Sequence, residues 1–206
     1  KYFNSSWFEN ALKQKRRNTE VEKNAEQTAE WFSQNGISFR GHALVYDGEK
    51  FLRPEEKEIL LNNSMSNSQK LSELIPMLDK HIVHGMKKWD VIAWDVLNEP
   101  LENHAVDDLT KENLITHWFK KAYTERILNN KLNTTLYINE NRIISGTTPD
   151  TYERPERYRK IIEQCLKEGA PIEGIGFQSR IKNGMLSAKE MYDRLNYFNE
   201  FKITWN

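Results

Sequence analysis

Glu99 is the residue whose setting is sharpest for chemistry. It follows the apolar run Trp89 to Leu97 (WDVIAWDVL), stands next to Asn98 and precedes Pro100. A carboxyl leaving an apolar wall tends to have its pKa raised by desolvation. A raised pKa is what a general acid needs near neutral pH. Pro100 restricts the Glu99 backbone to extended geometry, and Asn98 can donate to a ligand oxygen. The bland alternative is a Glu99 that merely caps a following helix. Three other apolar runs end in polar groups. His42 lies within the end of Ile37–Val45, and Tyr46 and Asp47 follow that run. Glu140-Asn141 follows Thr134–Asn139, and Ser179-Arg180 follows Ile172–Gln178. Any one cluster is explained by chains turning polar where strands end. Four together are harder to explain that way, and none of them carries a glycine-rich phosphate loop.

The elements that must position these groups read as alternating strands and helices. The strands are the four runs above, a fifth over Phe201–Thr204 and a short one within Phe3–Phe8. Helical spacing runs over Glu20–Asn35, Ser68–Gly85 (with Pro76 a blemish), Lys111–Asn129, Arg154–Glu168 and Ser187–Glu200. Ser187 with Glu190 three residues on reads as a capping box. This alternation implies βα units and a parallel sheet, and strands apolar throughout fit a sheet covered on both faces. Both β/α barrels and doubly wound sheets place their sites at the carboxyl ends of the strands. His, Asn, Glu and Gln groups would then face one mouth.

Weaker signals have plainer readings. Asp79, His81 and His84 share a helix but lack a third placed metal ligand, so a solvated face accounts for them. Glu55-Glu56-Lys57-Glu58 reads as an exposed helix face, Cys165 as a buried small hydrophobe, and Trp31 and Trp118 as packing residues. The 206 residues suit one domain. Lys and Arg total 30 against 30 Asp and Glu, which argues against a nucleic-acid binder. No apolar run is long enough to span a membrane. The opening Lys1-Tyr2-Phe3-Asn4-Ser5 carries no signal-peptide core, as a mature secreted chain would also lack.

Five ordered segments resemble a family. Trp94-Asp95-Val96-Leu97-Asn98-Glu99-Pro100 looks like the WDVxNEP segment of the family-10 glycoside hydrolases, the endo-1,4-β-xylanases. Arg40-Gly41-His42-Ala43-Leu44-Val45-Tyr46 is similar to RGHxLxW, Glu9-Asn10-Ala11-Leu12-Lys13 to ENxxKW, and Tyr137-Ile138-Asn139-Glu140 to Y-I-N-[DE]. Gly169 to Ser179 (GAPIEGIGFQS) is similar to GAPIxGIGxQSH. The resemblance implies an α/β fold, a TIM (β/α)8 barrel, with residues 1–206 as one barrel domain covering roughly the second to the seventh strands and incomplete at both ends. It implies retaining cleavage of internal β-1,4 bonds of xylan, with Glu99 as acid/base and no metal or other cofactor. Asn98 would hold the sugar 2-hydroxyl. His42 and Gln178 would line the same subsite, Tyr46 and Arg180 are further expected substrate-binding residues, and Glu9, Asn10 and Lys13 would bind the neighbouring sugar. The expected partner is xylan or a xylo-oligosaccharide, with no nucleic acid or membrane, and that substrate implies an extracellular setting.

Four positions depart from the pattern. Trp205 stands where the resemblance places the nucleophilic glutamate, and an indole cannot form a glycosyl ester. Arg180 replaces the histidine of QSH. Tyr46 and Gln14 replace the tryptophans of RGHxLxW and ENxxKW, and the second change is expected to remove apolar cover near the inner subsite. A relative that binds xylan without cleaving it is the alternative these changes leave open.

Overall fold

The structure, a computed structural model, describes residues 4–179 and 186–205 (Trp205 by its backbone only). Six strands form one parallel sheet in chain order: β1 (Ser5–Trp7), β2 (Ser38–Val45), β3 (Ala93–Asn98), β4 (Thr135–Asn141), β5 (Gly174–Gln178) and β6 (Thr204–Trp205). The helices between them are α1 (Glu20–Gln34), α2 (Pro54–Leu61), α3 (Asn67–Lys88), α4 (Leu114–Leu128), α5 (Pro149–Lys167) and α6 (Ala188–Asn196). Parallel neighbours in unbroken chain order need crossovers, which are right-handed as a rule, so the strands wind one way with their helices on one face. That is the arc of a TIM barrel, whereas a doubly wound sheet reverses its order.

Close packing among β2, β3 and α3 sets the core. Trp94 is buried, and its indole lies against Gly41 on β2. A Cβ at Gly41 would sit 2.3 Å from the ring. Gly85 of α3 likewise leaves no room for a Cβ, which would fall 2.3 Å from the Leu44 side chain. Leu74, Leu78, Ile82 and Met86 follow on the same helix stripe, all fully buried. Each contributes about 1.5–3 kcal/mol through burial.

Several element boundaries differ from the sequence expectation. β3 opens at Ala93 rather than Trp89, because Trp89 N–H donates to Gly85 O (3.1 Å) at the end of α3. α3 begins just after Ser66, whose hydroxyl accepts from Gln69 N in a capping box, and it runs through Pro76 to Lys88. α5 starts at Pro149 rather than Arg154, since proline is preorganised for the first helical turn. α6 is capped by Ser187 and Glu190 as expected and ends at Asn196.

The histidines of α3 correct two expectations. They do not form a solvated face. His81 and Glu56 are buried together, with Nε2 2.5 Å from Glu56 Oε1, so Glu56 is no exposed helix residue either. His84 Nε2 lies 2.7 Å from Glu22 Oε1, and Asp79 Oδ1 lies 2.9 Å from His117 Nε2. Each group clasps a neighbouring helix. Trp118 is buried as expected, whereas Trp31 is half exposed on α1.

The Glu22 clasp predicts acid sensitivity. Burial pushes the Glu22 carboxyl up, but His84, the Asn18 N–H and Lys88 outweigh it and bring the pKa to about 2. The folded value is lower than the unfolded one, so its stabilisation is present above pH 4.5 and is lost as pH falls toward 2. The full effect is on the order of 3 kcal/mol, with roughly 2 kcal/mol gone by pH 3. Urea unfolding at pH 6 and pH 3 should show wild type losing about 2 kcal/mol more than Glu22→Gln over that interval. Equal losses would mean the clasp contributes no linkage.

Candidate active site

The site is built from alternate residues of neighbouring strands. His42 pairs in register with Asp95, Asp95 with Tyr137, and Tyr137 with Gly174. Asp95 accepts from Arg40 (Nε at 3.0 Å and, more closely, Nη2) and lies 2.7 Å from His42 Nδ1. His42 Nδ1 is the ring nitrogen that faces Asp95, which leaves Nε2 turned toward another partner. Arg40 also stacks over Tyr137, 4.1 Å from the ring centre. The Tyr137 ring needs Gly174, where a Cβ would fall 2.3 Å from it. One layer toward the mouth, Gly176 makes the same room for Asn139, whose Oδ1 would be 2.5 Å from a Cβ there. The two glycines of Gly174-Ile175-Gly176 thus admit two large inward side chains.

An irregular register between Asp95 and Leu97 re-aims the end of β3. Asn98 then pairs with Asn139, whose Nδ2 donates to Asn98 Oδ1 at 2.8 Å. Gln178 Nε2 donates to the same oxygen (3.2 Å) and to Glu99 Oε1 (2.9 Å). The Tyr46 hydroxyl donates to Glu99 Oε2 in a short contact. Asn98 Nδ2 is buried with no protein acceptor at full hydrogen-bond geometry, a donor suited to a ligand oxygen.

Glu99 departs from both expectations drawn from its sequence. Its backbone is left-handed (φ 54°), not extended. That conformation costs about 1–3 kcal/mol before compensation. Its N–H donates to Asn139 O (2.7 Å), and its carbonyl accepts from Asn103 N (3.1 Å) and Asn103 Nδ2 (3.1 Å). Those bonds hold the turn. The pKa is lowered, not raised. Burial pushes it up, but hydrogen bonds from Tyr46, Gln178 and Asn141, with the His42 charge, win. The resting carboxyl is therefore held ionised. Glu140, next to Asn141 in sequence, points the other way into a buried pair with Arg154 of α5 (2.9 Å) and accepts from Leu101 N (2.9 Å) and Asn141 N (2.7 Å). Burial pushes its carboxyl up to about 7, against those N–H donors and Arg154.

The other expected site residues gather around this centre to different degrees. Glu9 lines a cavity of about 420 Å³ with His42, Asp95, Asn139 and Gln178. Lys13 Nζ donates to Asn10 Oδ1 (3.0 Å) and lies 5.4 Å from the Tyr46 ring centre. Arg180 lies outside the described residues. Thr204 and Trp205 pair with Gly174 and Ile175. Gln14 is buried, and its Oε1 accepts from Tyr46 N (2.8 Å), so it supplies a hydrogen bond where loss of apolar cover was expected. Two members of the site were not anticipated. Trp7, 67% exposed at the end of β1, lines the same cavity and offers an aromatic face. Asn139 orients Asn98. Both follow motif-matching positions or strand ends, which is the signal that points to them. Among the described residues, no group of three His, Cys, Asp or Glu is arranged to hold a metal ion.

The arrangement presents amide, imidazole, ammonium and carboxylate groups with aromatic faces to one small cavity. Such a set suits a neutral polyol rather than a polyanion. Comparison with known proteins gives the family. The model of glycosyl hydrolase family 10 matches residues 1–204. Endo-1,4-beta-xylanase A of a Caldicellulosiruptor species is 29% identical over 188 residues, covering 84% of this chain and 25% of that protein. Endo-1,4-beta-xylanase A of Halalkalibacterium halodurans is 24% identical over 203 residues, covering 92% of this chain and 50% of the other. The chain thus spans half or less of the length of these relatives. Among solved structures, xylanase XynB of Paenibacillus barcinonensis superposes with a TM-score of 0.76 at 22% identity, covering 98% of this chain and 60% of the other. Native xylanase10C of Cellvibrio japonicus gives 0.75 at 18% identity, covering 98% and 42%. A strand-end site on a TIM-barrel arc, in a chain matched almost end to end by one family model, places this protein in glycosyl hydrolase family 10.

Proposed function

We propose that this chain carries the sugar-binding mouth and the acid/base carboxyl of an endo-1,4-β-xylanase-type site. The observation that carries this reading is Glu99 itself. It sits at the end of β3 with Asn98, His42 and Gln178 around it, and both its oxygens are hydrogen-bonded. The Asn98 amide donates to a sugar hydroxyl, His42 Nε2 bonds a second one, and Glu99 protonates the leaving glycosidic oxygen. Substrate brings the change of protonation. A sugar ring displaces water, and the carboxyl must then take up a proton before the bond breaks. A retaining route also requires a second carboxylate about 5–5.5 Å away as nucleophile. The bound polymer is uncharged, in keeping with the zero formal net charge of the chain.

A second reading is binding without cleavage. Trp205 favours it, because it stands at the position the nucleophile is expected to fill. The ionised resting state of Glu99 favours it as well. Calorimetry with xylotetraose, run beside a reducing-sugar assay on xylan, separates the two. Binding with sugar release supports the hydrolase reading, and binding without release supports the second. No binding of xylotetraose or xylan overturns both.

A further inference from the structure

Gln14 and Tyr46 are the two described positions where this chain replaces a tryptophan of the family pattern, and they touch. We propose that they form one positioning unit for Glu99, with Gln14 fixing Tyr46 and Tyr46 holding the carboxylate. The proposal rests on Glu99 as the reacting carboxyl and adds residues that set its state.

Four observations carry it. Gln14 is buried, and its Oε1 accepts from the Tyr46 backbone N–H at 2.8 Å, at the point where β2 has just ended. This bond fixes the Tyr46 backbone as the chain leaves the sheet. The Tyr46 ring is then stacked on Phe51, with centroids 3.4 Å apart and planes at 14°. Lys13 lies on the same ring at 5.4 Å. The ring has little freedom left, and its hydroxyl meets Glu99 Oε2. A phenol aimed at a carboxylate is a charge-assisted donor and favours the ionised acceptor. Indole in that place has a single N–H on a larger ring and cannot present a hydroxyl. The Tyr46 phenol is itself held protonated, through burial first, then its hydrogen bond to Glu99 and the Glu99 charge. It therefore remains a donor across the working pH range. Asn103 Nδ2, 3.5 Å from the same Glu99 oxygen, is too long to replace it.

The consequence concerns how readily Glu99 takes up a proton. With Tyr46 in place, Oε2 is committed as an acceptor. Protonation there requires the hydroxyl to rotate away. The Gln14–Tyr46 unit thus sets the pH at which Glu99 can serve as an acid.

The test titrates Glu99 by carbon NMR of the side-chain carboxyl in the free, full protein, with the signal assigned by its loss in Glu99→Gln. Tyr46→Phe should raise the Glu99 midpoint by about one unit or more. Gln14→Met, similar in shape and without the acceptor, should raise it by a smaller amount. In the Tyr46→Phe background, Gln14→Met should add nothing further, because the route to Glu99 is already cut. Circular dichroism of each variant confirms the fold, and packing alone would not move this midpoint. An unmoved midpoint in folded Tyr46→Phe or Gln14→Met overturns the proposal, as does an equal shift from Gln14→Met in both backgrounds. The titration needs no substrate. Failure to bind or cleave xylan counts against the functional reading alone, and an unmoved midpoint in a protein that binds xylotetraose counts against the positioning unit alone.

Discussion

Arg154→Ala should lower folding stability by about 3–5 kcal/mol, the usual cost of breaking a buried ion pair by removing one partner. The Arg154 side chain is 2% exposed, and its partner Glu140 is fully buried. The guanidinium donates to Glu140 Oε1 (2.9 Å), Glu102 Oε1 (2.9 Å), Asn141 Oδ1 (2.8 Å) and Asn141 O (3.3 Å). Alanine would remove the buried charged donor from all four, leaving Arg142 on Glu102 Oε1 and Asn141 Oδ1 and only the Asn141 N–H on Glu140 Oε1. A typical domain has about 5–15 kcal/mol in total, so the variant should unfold at much lower urea. Its deficit should also depend on pH. Burial already pushes Glu140 up to about 7 with Arg154 present, and removing the cation pushes it further. A carboxyl whose folded pKa exceeds its unfolded value destabilises increasingly as pH rises between the two. The variant should therefore lose more at pH 8 than at pH 5. Glu140→Gln in the same chain should recover part of the loss, because the lone buried charge is gone. Arg154→Lys should recover little, since one ammonium cannot match the planar fork. A loss under about 1 kcal/mol by urea unfolding would show that Arg154 is not the residue tying α5 to the end of β4.

The effect should reach the site. Glu140 Oε2 accepts from Leu101 N, two residues past Glu99, and the Asn141 side chain that Arg154 holds helps to lower the Glu99 pKa. An Arg154 variant that still folds should therefore hold Glu99 less firmly.

The second large effect concerns turnover. Under the hydrolase reading, Glu99→Gln should lower the rate on xylan by about 10²–10⁴-fold, the range for losing a positioned general acid. The amide keeps the size of the side chain and its acceptor oxygen, so xylo-oligosaccharide binding should change little. An aryl xylobioside with a nitrophenolate leaving group needs no proton at departure, so its first bond-breaking step should be spared. The expected signature is a large loss on xylan beside a small loss in the initial burst on the aryl substrate. Equal losses on both substrates would contradict the acid role of Glu99.

Much of this architecture is legible in the sequence because it depends on short-range pattern. Apolar runs of strand length alternate with helical stripes, and parallel order follows. The polar groups at the strand ends then fall on one mouth, with Glu99 among them. Other features depend on which distant residues meet. Nothing in the local sequence pairs Glu22 with His84 across 62 positions or Arg154 with the end of β4. The charged helix faces thus read as solvated until packing turns them inward. Glu99 shows the same limit. Pro100 argues for extended backbone and the apolar run for a raised pKa. The left-handed turn instead carries Glu99 to donors at the ends of three other strands, and those donors reverse the direction of the shift. The boundary of β3 fails for a related reason: Trp89 is apolar enough for a strand, yet its N–H is taken by the last turn of α3.

The central claim is that the mouth formed by His42, Asn98, Glu99, Asn139 and Gln178 receives a xylan chain. Side-chain amide NMR of the Glu99→Gln protein titrated with xylotetraose tests it directly, because Asn98, Asn139 and Gln178 each carry a reporter NH₂. The account predicts saturable shifts of all three amide pairs along one binding curve. Three amide pairs that stay in place at saturating xylotetraose, or move only with an unrelated sugar polymer, would contradict it.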